Sequence, residues 1–214
     1  MPNTPPKRDT RTRVLVTSLL LFNEQGEPNT TTNAIADELD ISPGNLHYHF
    51  RRKSEIIDAL LAEFQADVRR VLEPPSTDNI SIVDFWVFLH LLLEVIAGYR
   101  FLLRDMETLL GKYPKVGRTL RGFAKGLTAV MQLYLDGLKR NGVLNIDDSE
   151  IPVASRNLAV IALFSERFNT ISGVDHSADA VALETARSVL ALLLPHSTGE
   201  TASVFSELSR QYRN

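Results

Sequence analysis

TTTNAIADELDISPGNLHYHFRRK, residues 30–53, is the stretch that decides the fold. It reads as two short helices joined by a tight turn and followed at once by Arg51, Arg52 and Lys53. The first helix is expected over residues 32–39, with Ile35, Ala36 and Leu39 on one face, because residues three or four apart share a side. Ala36 is small enough to let a second helix cross close by, as happens when two helices meet at roughly 90–120° over a short turn. Asp40 closes the first helix at a junction that calls for left-handed backbone, a conformation easiest for Gly but open to Asp, whose short side chain bonds locally. Ile41 plugs the gap beneath the turn. Ser42 is a strong N-cap and Pro43 suits the first helical position, where a missing N–H costs nothing, so the second helix starts here. Leu46 and Phe50, four apart, form its underside. Its outer side offers Asn45, His47, Tyr48 and His49, all able to exchange hydrogen bonds with base edges or phosphate oxygens. Capped amphipathic helix pairs occur in many all-helical proteins, so the surroundings matter as much as the spacing.

Those surroundings are cationic. Lys7, Arg8, Arg11 and Arg13 precede the motif and Arg51, Arg52 and Lys53 follow it, which is what contact with phosphates requires. The chain as a whole argues no such thing: 23 Lys and Arg stand against 26 Asp and Glu, a net charge of −3. Residues 1–53 hold 7 basic and 6 acidic residues, so the expected positive surface is local, made by clustering rather than by excess.

Moving outward, the apolar positions Val14, Leu15, Leu21 and Phe22 lie behind Arg11 and end at Gly26. With the Thr-started helix carrying Ile35 and Ala36, and with Ile41, Ser42, Gly44, Leu46, Tyr48, His49, Phe50 and Lys53, these residues resemble the DNA-binding domain of the TetR/AcrR family of bacterial transcriptional regulators. The resemblance covers roughly the first fifty-five residues, and its combined spacing is specific. Two positions depart from the family pattern: Asp40 stands where Gly is favoured, and His47 where Tyr is common. Thr17 and Ser18 stand where alanines are usual.

The resemblance implies an all-α fold: an N-terminal three-helix helix-turn-helix DNA-binding domain, residues 1–53, and a larger C-terminal helical ligand-binding and dimerisation domain, residues 54–214, joined by a helix over residues 54–72. It further implies a repressor of transcription that binds a double-stranded operator as a homodimer, through a four-helix interface of terminal helices, and is released by a small-molecule effector. Tyr48, His49 and Lys53 match its phosphate-contacting residues. From their own chemistry, Asn45 and His47 are the candidates for base contacts. Thr31 or Thr32 at a helix start can offer hydroxyl or N–H groups to phosphate, although capping explains them equally well.

Beyond the motif the apolar residues recur at helical spacing, and helices are expected over residues 54–72, 80–103, 114–141, 151–172 and 180–194, with a polar linker and a short last helix near residues 205–212. The 80–103 segment is apolar nearly all the way round, which suggests a central helix. His90 and Glu94 sit within it, four apart. With Phe85, Trp86, Phe88, Phe101, Arg104 and Phe123 they are the candidate effector-binding residues, a polar pair in an aromatic wall.

Other chemistries find little support. His47 and His49 are about 200° apart on a helix and cannot share an ion, and there is no Cys in the chain and no zinc-binding spacing, so no metal or other cofactor is expected. No nucleophile elbow, phosphate-binding loop or dinucleotide fingerprint occurs, so no enzyme activity is expected. Two other classes remain open on the residues alone: a helical protein-interaction adaptor, and an enzyme in which His90, Glu94 and Arg104 would be first suspects. Without a membrane-length apolar run or a signal segment, a cytoplasmic location away from any membrane is expected.

Overall fold

The computed structural model describes residues 9–75, 79–174 and 177–199, and among these every regular element is helical. Lys7 and Arg8, and the short helix expected near residues 205–212, lie outside the described residues. The chain divides into two compact units, Met1–Gln65 with Tyr99–Thr119, and Ala66–Gly98 with Leu120–Asn214. The division therefore falls twelve residues later than the expected boundary at residue 53, and the first unit also takes in a segment from the middle of the sequence.

In the first unit, α1 (Thr10–Gln25), α2 (Thr32–Glu38) and α3 (Pro43–His49) precede α4 (Lys53–Val71), which belongs to this unit as far as Gln65. Val14, Leu15 and Phe22 of α1, Ile35 and Ala36 of α2, Leu46 of α3, and Ile56, Ile57 and Leu60 of α4 are buried together with Phe50. Burying each large apolar side chain contributes ~1.5–3 kcal/mol, so the helix pair is held from beneath. α6 (Phe101–Arg104) and α7 (Met106–Lys112) complete this core, with the Phe101 ring 5.4 Å from that of Phe22.

The turn between α2 and α3 forms as its residues require. Asp40 adopts φ 52°, the left-handed region. Its N–H donates to the Asp37 carbonyl (3.1 Å) and the Ile41 N–H to the Ala36 carbonyl (3.0 Å), so two of the end carbonyls of α2 are satisfied in a Schellman arrangement. Ser42 then caps α3, its hydroxyl accepting from the Asn45 N–H at 3.2 Å.

The second unit is built from α5 (Ile82–Gly98), α8 (Pro114–Arg140, in this unit from Leu120), α9 (Ile151–Ile171) and α10 (Ala178–Leu193), ending in a 3-10 turn, Leu194–His196. α10 packs on both α9 and α5. Ser81 and Asp84 form a reciprocal capping box at the head of α5: Ser81 N–H and Oγ donate to the Asp84 carboxylate (2.8 and 2.6 Å), and the Asp84 N–H donates to Ser81 Oγ (3.3 Å). These bonds hold the Asp84 carboxyl below its usual pKa.

Two expectations about this region are corrected. The helix spans Ile82–Gly98 rather than residues 80–103, and it is not buried all round, since Val83, Val87 and Leu91 are 57%, 43% and 46% exposed. It stops because the Asn23 side chain accepts the Phe101 N–H (3.1 Å), removing that donor from the ladder, while Leu102 and Leu103 turn back to the Tyr99 and Arg100 carbonyls. At the far end of α8, Gly142 at φ 70° lets Val143 N–H reach the Leu138 carbonyl, the same Schellman closure with Gly in place of Asp.

Candidate functional site

α3 presents its polar side outward. Asn45 and His47 are exposed, Tyr48 is 85% exposed, and His49 is half-buried with its ring edge-on to Tyr48 at 5.2 Å. An exposed tyrosine on a helix whose Leu46 underside is fully buried leaves a hydrogen-bonding surface on a fixed support. Thr31 is exposed and its hydroxyl accepts from the Ala34 N–H (3.1 Å), so it is the N-cap of α2; Thr32 is half-buried at the first helical position.

The cations divide into two kinds. Arg51 and Arg52 expose their side chains just past α3. Arg13, by contrast, donates to the Leu39 carbonyl at 3.2 Å, and the Arg11 guanidinium lies 4.9 Å above the Phe50 ring, so both brace the motif from behind. Lys53 is ion-paired internally: its ammonium is 2.8 Å from Glu27 Oε1, donates to the Glu27 carbonyl, and leaves its side chain only 21% exposed.

Glu27 was hidden from sequence reasoning, where an acidic residue in a turn beside Gly26 reads as solvated. It is fully buried. Tyr113 Oη donates to its Oε1 at 2.8 Å, and Lys112 Nζ stands 3.6 Å from its Oε2, near enough for attraction and too far for a hydrogen bond. Burial first, and then the neighbouring Glu27, push the Tyr113 hydroxyl pKa well above its usual value, so it stays a proton donor. Around the end of α1, Arg104 donates to the Phe22 and Asn23 carbonyls (2.6 and 2.7 Å), Arg100 to the Asn23 carbonyl (2.9 Å), and Asp105 accepts the Glu27 N–H (2.7 Å). These bonds are why the Tyr99–Thr119 segment belongs with the first unit.

The candidate effector residues do not converge. Phe101 is buried against Phe22 and Arg104 donates to the carbonyls at the end of α1, so both lie in the first unit. Phe85 and Phe123 are core. Phe88 stacks on Tyr134 with centroids 4.6 Å apart and lines a cleft of about 380 Å³ with Arg70, Asp84 and Leu91 among others. His90 and Glu94 line a separate cleft of about 210 Å³ with Leu93 and Ala97 of α5 and Ala182 and Leu183 of α10. Trp86 lies against His90, ring centroids 4.3 Å apart, and its buried Nε1 has no hydrogen-bond partner among the described residues. No group of three His, Asp or Glu among the described residues could hold a metal ion, and no helix there is long and apolar enough to cross a membrane.

Known proteins share this architecture and its sequence. Residues 14–60 match the family model described as bacterial regulatory proteins of the tetR family, and residues 63–205 match a model described as a bacterial transcriptional repressor, TetR. The crystal structure of a TetR-family transcriptional regulator from Marinobacter aquaeolei is 31% identical, with a TM-score of 0.86 over 96% of this chain and 100% of that one. The probable HTH-type transcriptional regulator YttP of Bacillus subtilis is 24% identical over 67% of this chain and 66% of its own length. The HTH-type transcriptional regulator UidR of Escherichia coli is 35% identical over 36% of this chain. The chain thus spans 66% and 39% of the length of these two curated relatives. A helix-turn-helix with its polar face outward, joined to a helical unit that matches the family's larger domain, makes the chain a DNA-binding member of the TetR family of bacterial transcriptional regulators, a family of regulators rather than of enzymes.

Proposed function

We propose that the protein acts as a homodimeric repressor, holding a partly palindromic operator and releasing it when a small molecule occupies the second unit. The observation that carries this reading is the exposed Asn45, His47 and Tyr48 face above the buried Leu46 and Phe50. Asn45 and His47 read base edges, Asn45 being suited to adenine. Thr31, Thr32, Tyr48 and His49 meet phosphates, with Arg51 and Arg52 supplying charge. Lys53 would have to leave Glu27 to reach a phosphate, so its part is chiefly to hold the start of α4 in place. One chain has one recognition helix, and pairing two gives the affinity and half-site selectivity that an operator needs, with half-sites about 34 Å apart.

The effector is assigned to the cleft of His90 and Glu94. His90 of this cleft lies against the Trp86 ring, whose buried Nε1 has no hydrogen-bond partner among the described residues, and such donors are costly to leave unmade. A ligand favouring the protein form whose recognition helices are wrongly spaced would empty the operator by mass action alone.

The test is fluorescence anisotropy across a salt series, using a duplex selected from a random library by the wild-type protein and a random duplex for comparison. His47→Ala is expected to lower affinity for the selected duplex by ~1–3 kcal/mol and to leave random binding unchanged. Arg51→Ala with Arg52→Ala is expected to weaken both duplexes and to lower the salt slope by about 1–2. Equal losses on both duplexes with His47→Ala would sink the assignment.

A further inference from the structure

Glu27 is a charged group with no access to water, and stripping a carboxylate of its solvent costs several kcal/mol unless partners replace it. Its partners come from two places. Lys53, 2.8 Å from Oε1, opens α4 four residues after α3 ends at His49. Tyr113, 2.8 Å from the same oxygen, and Lys112, 3.6 Å from Oε2, close α7. The Glu27 backbone joins in, its N–H donating to Asp105 Oδ2 and its carbonyl accepting from Lys53. One buried carboxylate therefore ties the α1–α2 turn, the exit of the recognition helix and the end of α7 into a single ionic knot. Hydrogen bonds to charged groups are strong and directional, so the knot restricts where α3 can sit on its scaffold.

We propose that Glu27 is a positioning residue for sequence reading: through Lys53 it fixes the exit of α3, and through Lys112 and Tyr113 it makes that fixation depend on a segment that touches no DNA. The inference rests on the reading that α3 contacts base edges. Base-edge hydrogen bonds tolerate little displacement, whereas phosphate attraction is long-ranged and forgiving. Loosening the knot should therefore cost discrimination before it costs non-specific binding.

The experiment measures affinity for the wild-type-selected duplex and for a random duplex, in full-length protein well below its melting temperature, with His47→Ala as control. Lys112→Met combined with Tyr113→Phe removes two partners while sparing the buried carboxylate and Lys53. This double variant is expected to reduce the ratio of selected to random affinity about tenfold, with random binding and its salt slope unchanged. Lys112→Arg with Tyr113 intact should retain the wild-type ratio, and Glu27→Gln, where it folds, should lose at least as much as the double variant. A purely structural role would lower the melting temperature and leave the ratio alone. An unchanged ratio in the double variant, while His47→Ala lowers it, overturns the inference and spares the base-reading assignment. Parallel losses on both duplexes with a shallower salt slope would also overturn it, by making Lys112 a direct phosphate contact. A ratio that His47→Ala does not move removes the base-reading assignment and this inference together.

Discussion

Asp40 shows how a single backbone angle holds the motif. At φ 52° it occupies a conformation that costs an ordinary L-residue roughly 1–2 kcal/mol, less for Asp and nothing steric for Gly. Asp40→Val should therefore destabilise the protein by at least ~1 kcal/mol, because a β-branched side chain fits this region worst, while Asp40→Gly should leave stability within about 1 kcal/mol of wild type. Urea unfolding of the three proteins measures the order, and a Val variant as stable as wild type would show that the junction relaxes out of the left-handed region. Residues of this kind were legible in the sequence, since Asp40, Ser42, Leu46 and Phe50 act through local rules of turn, cap and spacing. Glu27, Arg100 and Arg104 were not. The partners that tie them to distant parts of the chain lie 26 to 86 positions away, and a charged side chain carries no mark in sequence that it will be buried.

Helix α8 carries two glycines whose substitution by Ala should have opposite signs. Helical Gly costs about 1 kcal/mol relative to Ala, so a gain of that order is expected wherever the new methyl meets nothing. Gly122 is such a site, exposed, where a methyl group would meet no other part of the protein within 4 Å beyond its own helix backbone. At Gly137 the Cβ would come within 2.4 Å of Ile80 Cδ1 and 3.0 Å of its Cβ, so the side chain cannot simply swing away. Overpacking of this kind costs ~1–3 kcal/mol, which outweighs the propensity gain. Thermal melts should rise for Gly122→Ala and fall for Gly137→Ala; a rise in both would mean that the segment before α5 is free to move off α8. Periodicity found α8, α9 and α10 to within two residues at each described end, because each carries a long apolar stripe between clear stops. It overran α5 at both ends: apolar content does not show where Ser81 caps, or that Asn23 captures the Phe101 N–H.

Taken as a whole molecule, the protein has an apolar stripe on α9 that is left exposed among the described residues. Val153, Val160, Phe164 and Phe168 are 60%, 47%, 39% and 69% exposed, and their spacing of seven, four and four places them on one side of the helix. Buried Leu158, Ala159 and Ala162 hold the opposite side to the core. An exposed stripe of large apolar groups on a long, well-supported helix suits a second copy of the same helix, since a two-fold contact makes one patch complement itself. Val160→Glu with Phe168→Glu would bring four carboxylates into such a contact. Sedimentation is expected to show wild-type dimers and variant monomers, with the variant's helical content unchanged. Operator affinity should then fall by two to four powers of ten, on the order expected when the second half-site is no longer held at high effective concentration, while affinity for an isolated half-site stays the same. Loss on both the full site and the half-site would place the damage in the reading head instead. Variant dimers that keep full-site affinity would move the pairing surface off α9 and with it the geometry by which an effector could change half-site spacing.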